Sequence, residues 1–457
     1  MNARETFSRG QIIAFLTAIG LIVIFLLLDY KLTIVLTLFT LTSLYLIHIL
    51  LSFYISFKSI FYGEEIKIKD SELIDKNNYN WPTYTILCPL YREANIIEKF
   101  VSNMEALDYP KDKLECFLLL EEDDQETIDK AYSMQLPDYF KIIIVPDGYP
   151  KTKPKACNFG LNYATGKYLV IYDAEDRPEI HQLKKAVIAF ARSMHSTVCV
   201  QAKLNFYNQN QNLLTNFFTC EYTLWFDLIL PGFQSIGAPI PLGGTSNHFL
   251  SSTLKKLGGW DPFNVTEDCD LGIRLKSEGY NTVILDSTTW EEANSQLKNW
   301  IRQRSRWIKG YFQTFLVYTK NPLKTLRNLG LFNFAVFFLV TGFLPFASMI
   351  NPFLWLTTIL YFVFRAEIGP IIEGFYPGPI LYMAVFSFIV GNFLYIYNYL
   401  VASAKKEHDS NLKFGLLMPF YWVFISVAAW YGGIQLLLKP HYWEKTKHGL
   451  LEKGINA

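Results

Sequence analysis

Long apolar runs constrain this chain before any motif does, because a helix needs roughly 20 apolar residues to cross about 30 Å of hydrocarbon. Gln11 to Leu28 and Leu32 to Ile55 are two such runs, separated only by Asp29, Tyr30 and Lys31. They read as a tight transmembrane hairpin. No small-residue cleavage site follows the first run, so a retained anchor is expected in place of a secretory signal. Beyond a polar region from about Lys58 to Arg327, apolar runs return at Leu331 to Ile350, Pro352 to Phe364, Ile380 to Val401 and Leu416 to Leu438. The predicted organisation is a hairpin over 1–57, a soluble domain with interface helices over 58–327, and membrane helices with a short cytoplasmic tail over 328–457. A domain of about 270 residues can bury a full core of its own.

At 51% hydrophobic, 16% aromatic and 18% charged, the composition is too apolar for an ordinary soluble enzyme. A net charge of +1 argues against nucleic acid as a partner. Arg4, Arg9, Lys58, Lys320, Lys324 and Arg327 flank the spans in a pattern that places the large domain in the cytoplasm of a multi-pass protein. Counting every later run as a crossing would put Ala404, Lys405 and Lys406 outside, against that rule. The short run from Pro352 to Phe364 is therefore expected to re-enter or to lie in the interface. Six cysteines without CxxC spacing read as buried thiols, with neither a zinc site nor a disulfide framework.

Within the soluble region, apolar strands at Tyr84 to Pro89, Leu114 to Leu120, Lys141 to Val145 and Tyr168 to Tyr172 alternate with helical stretches, the pattern of a parallel, doubly wound sheet. Ligands of such sheets sit at the carboxyl ends of the strands. Acids lie there: Glu121, Glu122, Asp123 and Asp124 after the second strand, and Asp173, Glu175 and Asp176 after the fourth. The first set is equally a solvated loop. Asp173 and Glu175, one residue apart, suit a Mg²⁺ or Mn²⁺ that also takes diphosphate oxygens, while Asp176 before Pro178 reads as a helix cap. Lys155, in a lysine-rich helix entrance, either meets a nucleotide diphosphate or is merely solvated. Leu213 to Leu230 reads as an amphipathic helix at the membrane surface, or else as a core helix.

A glycine-rich GGTSN loop from Gly243, the triplet Thr266, Glu267 and Asp268, and QRSRW from Gln303 to Trp307 follow in order. Alone, the triplet is an ordinary helix start. Together they match sugar transfer from a nucleotide donor: Asp268 as the base that deprotonates an attacking hydroxyl, Arg306 with a divalent metal as the holder of the departing diphosphate, and Trp307 as a face for a sugar ring.

The ordered set CPLYREAN, LLLEEDD, KPKACNFGLN, YDAED, GGTSN, TED and QRSRW resembles the membrane-integrated inverting glycosyltransferases of family 2, the group of cellulose and hyaluronan synthases and bacterial exopolysaccharide synthases. The match runs from about Pro82 to Lys309. It implies a GT-A fold with a mixed, mostly parallel sheet in the cytoplasm, inserted between N- and C-terminal transmembrane helices of the plasma membrane. It also implies uridine contact by Glu121 or Glu122, a metal motif of Asp173 and Glu175, catalysis at Asp268 beside Glu267 and Thr266, diphosphate and acceptor contacts by Gln303, Arg306 and Trp307, and an acceptor pocket of Gly243, Gly244 and Thr245. Glu121 and Glu122 stand where the family carries aspartates, and Glu175 ends the metal motif in place of Asp, which lengthens each arm.

The resulting expectation is an inverting, processive synthase of a β-linked polysaccharide from a UDP-sugar, UDP-glucose first. Single transfer to a lipid acceptor is the alternative, and a separate accessory protein could supply control.

Overall fold

The computed structural model describes residues 2–74, 79–405 and 412–446. Lys406 and the expected tail from Lys447 onward lie outside them. Helix α1 (Arg9–Leu28) opens on a capping box, with the Ser8 hydroxyl accepting from Gln11 N at 3.3 Å and the Gln11 side chain accepting from Ser8 N at 2.9 Å. Gln11 Nε2 donates to Leu316 O at 2.8 Å, but none of the helix's residues is buried, so its apolar surface is left for lipid. Asp29 caps α2 (Tyr30–Tyr62), accepting from Leu32 N at 2.9 Å. A single-turn α3 (Ser71–Ile74) leads to the sheet.

The chain then runs β1 (Tyr84–Leu90), α4 (Ile97–Glu105), β2 (Leu114–Glu121), α5 (Gln125–Ser133), β3 (Phe140–Val145), α6 (Lys153–Leu161), β4 (Tyr168–Ile171), β5 (Arg177–Pro178), α7 (Gln182–Arg192) and β6 (Thr197–Phe206). After α8 (Leu213–Leu224), a π-helical turn (Trp225–Ile229) and α9 (Leu230–Ser235) come β7 (Asn247–Leu250), α10 (Ser251–Lys256), α11 (Glu267–Ser277) and β8 (Asn281–Glu291). The eight strands order as β3-β2-β1-β4-β7-β6-β8-β5. Pairs β1/β2, β1/β4, β2/β3 and β6/β8 are parallel, whereas β7 runs antiparallel to both β4 and β6, and β5 is antiparallel to β8. The sheet is thus mixed and mostly parallel. Its order reverses between β1 and β4, which opens a crevice at their carboxyl ends.

Both faces are covered, which explains the unbroken apolar strands. Tyr84, Ile86 and Cys88 of β1 pack towards Phe100 and Met104 of α4 and Leu183 of α7, while Leu87 faces Cys157 and Leu161 of α6. All six cysteines are free and buried. Leu213 to Leu230 is built as the core alternative: Phe217, Phe218, Cys220, Leu224, Phe226 and Leu228 are buried, and the helix is clamped between β6 and the C-terminal helices.

Helix α12 (Leu297–Thr319) carries QRSRW, followed by α13 (Pro322–Phe337), a second π-turn (Phe338–Phe343), α14 (Leu344–Val363), α15 (Arg365–Glu373), α16 (Gly378–Lys405) and α17 (Leu412–Leu438). Among the described residues five helices are long and apolar enough to cross a membrane: α1, α2, the continuous stretch Pro322–Val363, α16 and α17. Gly330, at φ 76°, kinks α13 just before the apolar part begins.

One expectation needs correction here. The runs Leu331 to Ile350 and Pro352 to Phe364 are one helical element with Pro352 inside it, so the second is not a separate re-entrant piece. Lys405, at the end of α16, donates to Asp227 O at 3.0 Å, which puts that end on the globular domain. Phe414 near the start of α17 meets Phe217 at 6.3 Å, and beyond its other end Tyr442 O accepts from Lys309 at 2.7 Å. Both ends of α17 therefore rest on the same domain.

Candidate active site

Two hydrogen bonds fasten the loop before α11 to α12, and a third braces the loop itself. Val265 N donates to Gln313 Oε1 at 3.0 Å, Asn264 Nδ2 donates to Thr314 Oγ1 at 2.9 Å, and Thr266 N donates back to Asn264 Oδ1 at 3.0 Å. Thr266 caps nothing with its side chain. It packs against Gly310, where a Cβ would come within 2.2 Å of Thr266 Oγ1. The distant triplet and QRSRW are thereby one rigid unit.

A cavity of about 1050 Å³ runs from this unit into the helix block. Asp173, Glu175, Gly243, Gly244, Thr245, Thr266, Glu267, Asp268, Gln303, Arg306 and Trp307 all line it. Gly244 abuts the base candidate, since a Cβ there would lie 3.3 Å from Asp268 Oδ2. Asp268 Oδ1 accepts from Cys269 N at 2.7 Å. Burial raises its pKa above the ordinary aspartate value, and burial followed by the Asp268 charge pushes Glu267 up to about 8. Arg306 lies against the Trp443 ring, 4.4 Å from its centroid, and its Nε is buried without a hydrogen-bond partner, so an anion would satisfy it. Trp307 belongs to an aromatic group with Phe218 at 5.9 Å and Tyr222 at 6.1 Å, and Arg304 covers it at 4.5 Å.

Arg304 itself is tied down, with Nη2 2.5 Å from Glu221 Oε2, an oxygen that also accepts from Tyr421 OH at 2.7 Å. That arginine joins α8, α12 and α17.

The structure does not bring every expected residue to this cavity. Glu121, Glu122 and Lys155 are absent from its lining. They form a neighbouring cluster at the ends of β2 and β3, with Lys155 Nζ on Glu121 at 2.9 Å and the Glu122 carboxylate accepting from Asp147 N at 3.0 Å. Lys153, which the sequence reading passed over in favour of Lys155, is the lysine at the cavity, bonded to Asp173 and, at 2.7 Å, to Gly244 O. Asp176 is not a helix cap, because the next helix starts at Gln182. Its Oδ2 accepts from Asp173 N at 2.8 Å and from Thr245 Oγ1, so the Thr245 hydroxyl is engaged by that aspartate.

Glu291, at the end of β8, also lines the cavity and was missed, although the strand-end rule marks its position. Burial and the Asp176, Glu175 and Asp173 carboxylates raise its pKa. Trp443 was missed too, for it lies five residues past α17 and no local pattern sends it to Arg306.

Among the described residues no group of three His, Cys, Asp or Glu is arranged to hold a metal by itself. Asp173 and Glu175 nonetheless offer hard oxygen donors at the strand end, and Asp176 Oδ1 beside them is buried with no hydrogen-bond partner. A small divalent cation that completes its shell with diphosphate oxygens fits that donor set.

A reversing α/β sheet with acids at its strand ends and a cation beside a buried carboxylate defines a GT-A glycosyltransferase. The glycosyl transferase family group 2 model matches residues 168–397 and the glycosyl transferase family 2 model matches residues 85–249. This chain belongs to glycosyl transferase family 2. It is 26% identical over 384 residues to Probable glycosyltransferase YdaM of Bacillus subtilis, covering 83% of this chain and 87% of that protein. Beta-monoglucosyldiacylglycerol synthase of Nostoc sp. is 25% identical over 278 residues, 58% of each chain. Cellulose synthase 2 of Novacetimonas hansenii is 26% identical over 250 residues, 53% of this chain and 15% of that one. The fold is shared with the mannosyltransferase PcManGT from Pyrobaculum calidifontis, solved in complex with GDP-Man and Mn2+, at a TM-score of 0.55 and 18% identity, covering 88% of this chain and 99% of that one.

Proposed function

We propose that this glycosyltransferase uses a UDP-sugar, UDP-glucose first, to extend a β-linked glycan with inversion, and passes the product along the cavity into the membrane. The observation that carries this reading is the cavity's course. Beyond Asp268 and Trp307 it is lined by Tyr45, His48, Asn351, Tyr395 and Asn398, and it reaches Tyr361 and Arg365 at the far end of α14. Polar groups among membrane helices are costly unless they face a polar ligand or water, and a hydroxyl-rich chain is such a ligand. In this reading α1, α2, Pro322–Val363 and α16 cross the plasma membrane, α17 lies in the interface, and the GT-A domain is cytoplasmic.

In the reaction, Asp268 accepts the proton of the acceptor hydroxyl as that oxygen bonds the anomeric carbon, and the bond from that carbon to the diphosphate breaks. Glu267 and Thr266 hold the start of α11 in place, and Trp307 backs the acceptor ring. Arg306 and Lys153 neutralise the leaving UDP. A Mg²⁺ or Mn²⁺ held by Asp173 and Glu175 would add charge stabilisation to the same diphosphate. Glu121, Glu122 and Lys155 sit where the nucleoside end would lie, and Gln303 lies beside the diphosphate.

Single transfer to a membrane lipid is the second reading, favoured by the Leu38, Leu41, Ile55, Leu344 and Leu354 part of the same wall and by the diacylglycerol-modifying relative. UDP release by the protein in nanodiscs with a panel of UDP-sugars, with products sized, separates the two. Long products, lost in Asp268→Asn and on EDTA treatment, are the expected result. One sugar per added lipid would replace this reading by the second, and turnover surviving Asp268→Asn would overturn the assignment of the base.

A further inference from the structure

Lys203, in β6, is only 2% exposed along its side chain and faces three carboxylates: Glu65 at 2.7 Å, Asp227 at 2.9 Å and Asp286 at 2.7 Å. Glu65 also pairs with Lys405 at 3.0 Å. Those partners come from the segment after α2, the π-turn, β8 and the end of α16. Burying the Lys203, Glu65 and Asp227 charges costs desolvation that apolar side chains of the same size would avoid, so such a group is poor evidence for stability and points to a demand on position.

What it positions is the acceptor loop. Lys203 and Asp227 are followed and preceded in the chain by Leu204 and Phe226. Both touch Gly243, where a Cβ would lie 3.0 Å from Leu204 Cδ1 and 3.0 Å from Phe226 Cζ. Gly243 N donates to Gln201 Oε1 at 2.8 Å from the same strand. Gly244, next in the chain, is the residue against Asp268. Leu204, Phe226 and Ile55 line the throat where the cavity leaves the globular domain, and α9 sits so close to α2 that a Cβ at Gly232 would lie 2.6 Å from Ile55 O.

We infer that Lys203 is a positioning residue: its ionic cluster clamps the cytoplasmic ends of α2 and α16 to β6 and the π-turn, and so sets the acceptor loop against Asp268. This rests on the transfer reading above. Lys203 touches neither donor nor metal candidates, so it acts on acceptor register alone. The charge-assisted contacts hold the longest lever in the cluster, and burial opposes the Lys203 charge less than the Asp227, Glu65 and Asp286 carboxylates favour it.

The test compares Lys203→Arg, which keeps the charge but enlarges the head group, and Lys405→Met, at the exposed edge of the cluster, with the full-length protein in nanodiscs. Donor hydrolysis to water and transfer to acceptor are measured separately. The expected result is hydrolysis within about twofold of the parent, with acceptor KM raised or product length shortened by about fivefold or more in Lys203→Arg, and a smaller change of the same kind in Lys405→Met. Hydrogen exchange should rise at 201–206, 225–229 and 242–246 and stay unchanged in β1 and β2. Equal loss of hydrolysis and transfer, or no change in either, would overturn the inference. If the parent turns over no nucleotide sugar, the transfer reading fails by itself, and the exchange pattern still decides whether the cluster holds the loop.

Discussion

Gly310 lies four residues beyond Arg306, and its lack of a side chain lets α12 approach the triplet loop. Gly310→Ala would drive a methyl into Thr266 Oγ1 and Cβ, where backbone bonds on both sides leave little room to shift. The expected cost is about 1–3 kcal/mol of stability, read by thermal unfolding, with a larger loss of UDP release because Asp268 moves with the loop. A second prediction concerns pH. Glu267, at about 8 in the folded protein against an ordinary 4.5, binds its proton more tightly when folded. Its stabilising contribution is complete below about 4.5 and is lost as pH rises through 8, so the donor-free protein should melt higher at pH 6 than at pH 8.5, and Glu267→Gln should reduce that difference. Activity runs the other way. Asp268 works as a carboxylate and its pKa is raised by burial, so the acid limb of the rate profile should lie above the ordinary aspartate range. The acids themselves were readable as strand-end and motif residues. Lys153 over Lys155 was not, because which lysine of a short helix faces the site depends on how the helix is rotated against β1 and β2.

Helices α12 and α17 lie side by side, with Gly432 against Ser305 O and the Lys309 ammonium on the carbonyls that follow α17. Burial, followed by the nearby Arg306 charge, lowers Lys309 to about 8. This contact delivers the segment after α17 to the site: Trp443 to Arg306, Glu444 to Arg302 at 3.3 Å and Lys445 to Glu93 at 3.2 Å. Trp443→Ala should raise donor KM by roughly 5- to 30-fold, the equivalent of about 1–2 kcal/mol for a desolvated cation–π contact, with little change in melting temperature. Titration of the donor into the variant measures it. Length and hydropathy identified α17. That two apolar runs fuse across Pro352 was not visible, since a proline between runs reads equally as a break or as a kink inside one helix.

At the scale of the molecule, the sheet and the helix block share one cavity, and the topology around them is open to direct measurement. Single cysteines at Lys31 and Glu367 should react with an impermeant reagent from outside the cell. Cysteines at Lys130, Lys413 and Lys439 should all be protected, because both ends of α17 rest on the catalytic domain. Labelling at Lys439 from outside would make α17 a fifth crossing.

Hydropathy and strand alternation determined by themselves a doubly wound sheet between apolar helices, and the order of the motifs carried the resemblance to family 2 glycosyltransferases, since these are local properties that survive any arrangement of the elements. The tertiary structure decided what depends on contacts between residues far apart in the chain. It selected Lys153 for the cavity, turned Thr245 towards Asp176, and laid α17 on the domain. It also gathered Glu65, Lys203, Asp227, Asp286 and Lys405 into one ionic cluster with a buried centre. No window of sequence records such a cluster, because a charge separated from its partner by more than 300 residues, as Glu65 is from Lys405, looks like any solvated surface charge until folding removes the water.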